Sequence, residues 1–146
     1  MKRILLVFIS VLFVTSCATP KMYYWGGVKN GVSKYEELAY RSYDRQTPES
    51  ICDLIVLYED MINNYGGTRN TIPPGICAEY GYILLQETTA EYFEKHAKNK
   101  QKKIFKTNDY STLFSEKGIQ MLQKEMELYP ESEKFITPLL NRMKGN

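Results

Sequence analysis

Side chains that could carry out chemistry are sparse in this chain of 146 residues. His96 is the only histidine, and the lysines around it favour a solvated helical position. A zinc site needs Cys and His residues at ligand spacing, yet neither CxxC nor HxxxH occurs. No serine lies in a GxSxG elbow, and the glycine pairs lack the spacing of a phosphate-binding loop. Adjacent carboxylates such as Glu36–Glu37 and Glu59–Asp60 point about 100° apart on a helix and cannot share a site. We therefore predict that the protein is not an enzyme and holds no metal or cofactor.

Cys17 stands in the context that carries the most information. Two basic residues precede an apolar run at 4–14, which is shorter than the roughly 20 residues of a permanent bilayer helix. This pattern is typical of a secretory signal. The preceding residues Val14–Ser16 resemble a bacterial lipobox, in which the cysteine thiol receives diacylglycerol and the amino group freed by cleavage is acylated. The resemblance implies a signal peptide at 1–16 and lipidation of Cys17; the alternative is an ordinary signal peptide with an incidental cysteine.

The residue after this cysteine bears on the compartment. Ala18 stands where the usual inner-membrane retention signal has Asp, so we expect an outer-membrane lipid anchor with the domain facing the periplasm. Removing residues 1–16 takes two of the 19 basic residues and none of the 17 acidic ones, which leaves a formally neutral chain. A nucleic-acid-binding protein needs a basic excess to neutralise phosphates, so we predict no nucleic-acid partner.

Residues 17–33 are predicted to be a lipidated linker, since Pro20 and several glycines interrupt any periodicity. Tyr24 and Trp25 lie within this linker. Their rings could sit among lipid headgroups, or they could fold back and close one end of the core. We favour the second alternative, because the glycine pair after Trp25 permits a sharp turn.

The remainder, residues 34–146, shows helical periodicity and no strand pattern of useful length, which predicts an all-α domain. Ser33 and Thr47 are candidate N-caps, and an insert at about 87–114 carries a basic run at 95–106 that we expect to be a solvated face. We expect Tyr43 of the first helix and Phe135 of the last to face inward, and the third helix to be the most buried. Five main helices are predicted, at 33–45, from Pro48 to the glycine pair at 66–67, and at 76–85, 115–129 and 132–143. One short helix is predicted within the insert, at 91–97.

The other cysteines, Cys52 and Cys77, lie on neighbouring predicted helices. If these helices form a hairpin, Cys77 lies near the turn and Cys52 about 13 residues, or roughly 20 Å, away from it. A disulfide needs Cα atoms within about 7 Å of each other. We therefore predict two separate, largely buried thiols.

Two segments, AEYGYILLQ and GIQMLQKEMELYPES, resemble the two halves of a tetratricopeptide repeat. Gly81 and Gly118 take the small positions that let the two helices pack closely, and Pro130 takes the terminating position. Glu125 stands where a small residue is usual, and Pro138 is expected to kink or shorten the last helix. The resemblance implies antiparallel helical hairpins.

The whole layout, from the lipobox through YYWGG and IPPGICAEYGYILL to ELYPES, is similar to a family of small bacterial lipoproteins of unknown function with a tetratricopeptide-like domain. Members of that family accompany lipoproteins that resemble the curli secretion channel. The resemblance implies an accessory, adaptor-like role in an outer-membrane assembly and no catalytic residues. Two alternatives remain: a cell-wall enzyme whose carboxylates meet only in the fold, and a structural lipoprotein that binds peptidoglycan.

Tyrosine is unusually frequent, at 12 of 146 residues. Most of these rings are expected to fill the grooves between helices, and a minority to line a face that grips a protein partner in the envelope. A single repeat hides only part of its apolar surface, which also leaves room for a homodimer. The candidate partner-binding residues are Tyr24, Trp25, Glu79, Tyr82 and Gln86.

Overall fold

A computed structural model of the protein describes residues 20–144, and this part of the chain is mostly helical, as predicted. A short antiparallel hairpin precedes the helices and consists of two strands of two residues each, β1 (Val28–Lys29) and β2 (Val32–Ser33). The signal peptide at 1–16 and the lipidation predicted at Cys17 lie outside the described residues. The helices are α1 (Lys34–Arg45), α2 (Pro48–Asn63), α3 (Ile76–Leu84), α4 (Thr89–His96), α5 (Asn99–Phe105), α6 (Tyr110–Leu128) and α7 (Glu133–Lys144), with a 3-10 turn at Pro130–Ser132.

Local capping determines where the first two helices begin. The Ser33 hydroxyl accepts a hydrogen bond from the backbone N–H of Glu36 at 3.1 Å, and the Thr47 hydroxyl accepts from Ser50 at 3.3 Å. Pro48 fills the first position of α2, where its missing N–H costs nothing. Both predicted N-caps are confirmed, and each acts through the backbone of its own helix.

Helix α2 lies at the centre of the domain and packs against α1, α3, α4 and α5. Its 16 residues form the longest apolar stripe of these five helices, and Ile55, Leu57 and Met61 are completely buried. The expectation that the third helix would be central and the most buried was wrong as to its central position, which belongs to α2. Helix α3 has only nine residues, leaves Tyr82 about half exposed and packs mainly against α6.

Helices α3 and α6 meet at two glycines. A Cβ atom added to Gly81 would lie 2.7 Å from the carbonyl oxygen of Gly118, and one added to Gly118 would lie 2.5 Å from Cγ of Leu85. The close approach predicted for Gly81 is therefore present. Contacts pair the start of α3 with Glu125 and its middle with Gly118, so the two helices run antiparallel.

Glu125 of α6 caps the beginning of α3. Its carboxylate accepts hydrogen bonds from the backbone N–H groups of Gly75 at 2.7 Å and Ala78 at 3.3 Å, and its side chain is buried. Gly75 precedes α3 and has no side chain with which to cap it. Burial raises the pKa of the Glu125 carboxyl, because loss of solvation outweighs the backbone hydrogen bonds that favour the anion.

The predicted insert at about 87–114 is part of the core. It contains α4, α5 and the first turn of α6, and the completely buried ring of Phe93 lies 5.1 to 5.3 Å from those of Phe105, Tyr110 and Phe114. Helix α6 begins at Tyr110, five residues before the predicted start, because the Asp109 carboxylate accepts from the N–H of Thr112 at 3.0 Å. The lysines of the basic run are largely solvent-exposed.

One tyrosine and one phenylalanine that were predicted to face inward are exposed. Tyr43 is 84% exposed and Phe135 is 72% exposed, although both follow the helical spacing of buried neighbours. Helices α1 and α7 lie at the edge of the domain, where only a narrow apolar stripe of each helix contacts its neighbours. Helix α1 buries only Leu38. Helix α7 also continues through Pro138, whose exposed position leaves the displaced carbonyl accessible to water.

The glycine contact predicts a steep cost for one added methyl group. We expect Gly81→Ala to lower the free energy of unfolding by about 1–2 kcal/mol, because overpacking costs about 1–3 kcal/mol and the better helix propensity of alanine returns up to about 1 kcal/mol. The matched control is Gly66→Ala, since no atom lies within 4 Å of a Cβ added there. Urea denaturation measures both, and equal stability of the two variants would contradict the close packing.

The buried carboxyl of Glu125 predicts a pH dependence. A folded-state pKa above the ordinary value of 4.5 means that protonated Glu125 favours the fold, and this contribution is lost as the pH rises through the raised pKa. The free energy of unfolding should therefore fall with rising pH relative to that of Glu125→Gln. Denaturation between about pH 4 and pH 7 tests this, with Glu127→Gln on the exposed side of α6 as the control. A relative stability that increases with pH would mean that the backbone hydrogen bonds dominate.

Candidate interaction surface

The segment before the hairpin folds back onto the helices, as the sequence favoured. The Trp25 ring lies 5.2 Å from the Tyr35 ring, and the Tyr35 N–H donates to the Trp25 carbonyl at 3.2 Å. The Tyr24 hydroxyl donates to Oδ2 of Asp60 at 2.8 Å, which raises the pKa of that tyrosine. The Tyr24 and Trp25 side chains are half-buried, so they close the core near the C-terminal end of α2.

A row of four aromatic rings crosses the domain from this segment to α3. Centroid distances are 5.2 Å from Trp25 to Tyr35, 6.4 Å from Tyr35 to Tyr58, and 5.4 Å from Tyr58 to Tyr80. Each ring comes from a different element, namely the N-terminal segment, α1, α2 and α3. Offset aromatic pairs at these distances contribute beyond the area that they bury, so the row joins four elements.

Glu79 lies beneath the middle of this row. Its carboxylate oxygen Oε2 accepts hydrogen bonds from the hydroxyls of Tyr35 and Tyr58, each at 2.8 Å. Burial raises the pKa of both tyrosines, and the carboxylate next to them raises it further. Glu79 itself remains exposed on its outer side, so it can still accept hydrogen bonds from another molecule.

A second carboxylate, that of Glu59, is buried among α2, α3 and α6. It accepts from the Tyr80 hydroxyl at 2.5 Å, forms an ion pair with Lys117, and accepts from the Asn63 amide at 3.2 Å. The Lys117 ammonium also lies 5.6 Å from the centre of the Phe105 ring. Sequence reasoning missed this group, although Glu59 stands directly beside Tyr58 and one turn before Ile62 of the apolar stripe. Partners on both oxygens make the carboxylate a structural group that links three helices.

The predicted partner-binding residues fall into two groups. Glu79, Tyr82 and Gln86 are spaced at helical intervals of three and four and share one exposed face. Tyr82 is 52% exposed, and the Gln86 amide donates to its carbonyl at 3.2 Å. Tyr24 and Trp25 are packed against the core, and Tyr35 connects Trp25 to Glu79. We refer to Glu79, Tyr82 and Gln86 as the α3 face.

A second exposed aromatic surface lies on α1. Tyr40 is 76% exposed and Tyr43 is 84% exposed, and Glu36 precedes them on the same side of the helix. An open groove of about 500 Å³ lies between this side and the hairpin, where Val32 lines it together with Glu36 and Tyr40. We refer to Val32, Glu36, Tyr40 and Tyr43 as the α1 face. The sequence does offer one signal for this surface, since Tyr40 lies off the apolar stripe of its helix and could have been predicted to be exposed.

The two thiols within the described part of the chain are buried and unbridged, as predicted. Cys52 is 1% exposed and Cys77 is completely buried. Burial raises the pKa of Cys52 to about 11 and that of Cys77 to about 12. Both are therefore protonated at neutral pH and behave as small apolar side chains.

His96 lies on the surface, where Nδ1 is 3.1 Å from a carboxylate oxygen of Glu49. Between residues 20 and 144, no three His, Cys, Asp or Glu side chains are grouped so that they could hold a metal ion. The same stretch contains no helix with the length and apolarity needed to cross a bilayer.

Comparisons with known proteins returned nothing similar. No protein-family model matches the chain, and neither a curated protein nor a solved structure matches it. The described residues are those of a mostly helical protein with exposed tyrosines on α1 and α3.

The Glu59 group predicts unequal effects of removing two nearby hydroxyls. Tyr80→Phe should lower the free energy of unfolding by about 1.5–3 kcal/mol, because hydrogen bonds to charged groups contribute about that much when buried. Tyr82→Phe on the same helix is the matched control, and an exposed site should change stability by less than about 0.5 kcal/mol. Thermal or urea denaturation compares them, and a neutral Tyr80→Phe would show that the hydroxyl does not stabilise the buried carboxylate.

Proposed function

We propose that this protein is an outer-membrane-anchored lipoprotein whose helical domain binds another protein of the bacterial envelope, as an adaptor accessory to a secretion-channel-like or other envelope assembly. The observation that carries the proposal is the exposure of Tyr40 and Tyr43 on the α1 face. Tyrosine is enriched at the centres of protein interfaces, where its ring buries a large area and its hydroxyl retains a polar contact.

Four other tyrosines make this exposure informative, whereas Tyr65 and Tyr82 are also exposed, to a smaller extent. Tyr24, Tyr35, Tyr58 and Tyr80 each donate to a carboxylate and pack against the core, so folding accounts for them. Folding does not account for the α1 face, because its two rings lie mostly in water. Neighbouring tyrosines that are mostly exposed are a feature of many interaction surfaces.

The shape of the α1 face favours an extended or helical segment as the bound element. The groove of about 500 Å³ offers an apolar wall of Val32 and Tyr40, a carboxylate from Glu36 and the cationic side chain of Lys29. Glu37, which also lines it, is already paired with Arg41 at 2.6 Å. The face therefore suits a partner segment that presents apolar side chains together with charged groups of both signs.

The membrane attachment in this proposal rests on the lipobox-like residues before Cys17 and on the basic start of the chain. Two or more acyl chains give stable anchoring, which would hold the helices at the envelope and raise the effective concentration of a partner there. The resemblance to a family that accompanies curli-channel-like lipoproteins supports such a channel lipoprotein as the partner.

Affinity capture from detergent-solubilised envelope tests the proposal. We expect the full-length protein to recover a defined envelope protein, and the double variant Tyr40→Ser/Tyr43→Ser to recover at least tenfold less, since loss of interface hot spots costs about 1.4 kcal/mol or more. Stability should change by less than about 0.5 kcal/mol, because both sites are exposed.

Two further variants locate the surface. Gln123→Ser, at an exposed position of α6, should leave capture unchanged. Tyr82→Ser reports on the α3 face, and a loss of capture confined to this variant would move the binding surface there. Recovery of the protein alone, or of peptidoglycan fragments in place of a protein, would contradict the adaptor function.

A further inference from the structure

The N-terminal segment is fastened to the loop that joins α2 and α3. The N–H groups of Thr68 and Arg69 donate to the carbonyls of Lys21 and Met22, each at 3.0 Å. Gly67 has a φ of 85°, and a Cβ atom there would lie 2.5 Å from the Met22 carbonyl oxygen. The chain is therefore held at Lys21 and Met22, and this contact requires glycine in the loop.

The distance between this fastening point and Cys17 is limited by covalent geometry. Only residues 18–20 separate Cys17 from Lys21, and four Cα–Cα steps span at most about 14 Å. The headgroup layer of one leaflet takes up about 6 Å of that length. A lipid on Cys17 thus brings Lys21 to within about 8 Å of the membrane surface.

The residues at this end of the domain have the composition of a membrane-contacting surface. Met22 is 51% exposed and Tyr65 is 47% exposed, and the charged side chains of Lys21 and Arg69 are exposed as well. Tyrosine is favoured at the headgroup level, and cations are attracted to anionic lipids. We refer to Lys21, Met22, Tyr65 and Arg69 as the loop face.

Acidic residues flank the loop face but do not occur within its loop. Residues 61–75, from the last turn of α2 to the residue before α3, contain no acidic residue. Asp60, which precedes it, accepts from the Tyr24 hydroxyl and from the Asn64 amide, both at 2.8 Å. On α6, Glu125 is turned inward to Gly75, whereas Glu127 on that helix and Glu131 beyond it are exposed.

We propose that the loop face rests on the lipid headgroups of the membrane that holds the Cys17 anchor, so that the domain has a fixed orientation. This inference rests on the lipidation in the proposed function. Helix α2 spans about 24 Å at 1.5 Å per residue, and the loop face lies at its C-terminal end. Tyr43 lies two residues before α1 ends, close to the opposite end of α2, so this part of the α1 face is held clear of the lipid. Val32 lies just before the beginning of α1 and Glu36 lies in its first turn. This end of α1 is nearer to the loop face, because Tyr35 packs against Tyr58.

Site-specific labelling of the mature protein in vesicles of phosphatidylethanolamine and phosphatidylglycerol tests the orientation. Tyr65→Cys and Tyr43→Cys form a matched pair, because both replace an exposed tyrosine. A thiol-reactive nitroxide should leave Cys52 and Cys77 unlabelled, since both are buried, and the unsubstituted protein verifies this. We expect a water-soluble nickel chelate to relax the label at position 65 several-fold less than the label at position 43.

Mass spectrometry of the same samples tests the lipidation of Cys17 separately from the membrane contact of the loop face. An acylated Cys17 together with equal accessibility of the two labels would overturn the membrane-resting loop face and leave the lipoprotein function standing. An amino terminus without acyl chains would overturn both. A charge variant, Lys21→Gln/Arg69→Gln, should increase the accessibility of the label at position 65, and no change would contradict the role of the two cations.

Discussion

The contact between Gly81 and Gly118 is the constraint on which the rest of the domain depends. Because α3 and α6 meet there without side chains between them, residues on either side of the contact are brought within bonding distance of neighbouring helices. Lys117, next to one glycine, reaches the buried Glu59, and Glu125, two turns further along α6, reaches the beginning of α3. One backbone approach therefore positions both of the buried carboxylates that link helices.

Four tyrosines of the domain are matched with carboxylates, and this matching distinguishes these structural rings from exposed ones. Buried hydroxyls need partners, and Asp60, Glu79 and Glu59 supply them to the tyrosines of four elements. Tyr40 and Tyr43 stand outside this arrangement, with rings mostly in water. The interpretation of the α1 face as a binding surface follows from that contrast, since tyrosine frequency alone does not separate the two groups.

Features decided within one helix could be predicted from the sequence. The caps at Ser33 and Thr47 and the small residue at Gly81 depend on local spacing, and they are confirmed. Periodicity identifies an apolar stripe but not how much of it a neighbour covers, which is why Tyr43 was misplaced. The Glu125 cap joins residues 50 positions apart, so no local pattern could reveal it. At the candidate surface, Tyr82 and the folding back of Trp25 were predicted, whereas the exposure of Tyr43 depended on the tertiary fold.

The central claim is that the segment carrying Lys21 and Met22 belongs to the helical domain, which couples an anchor at Cys17 directly to the helices. Amide hydrogen exchange of Thr68 and Arg69 measures this coupling, because their N–H groups donate to the carbonyls of Lys21 and Met22. We expect both amides to exchange much more slowly than those of an unstructured peptide. Exchange at the rate of a free loop would contradict the claim, since the anchor would then be joined to the domain by a flexible linker.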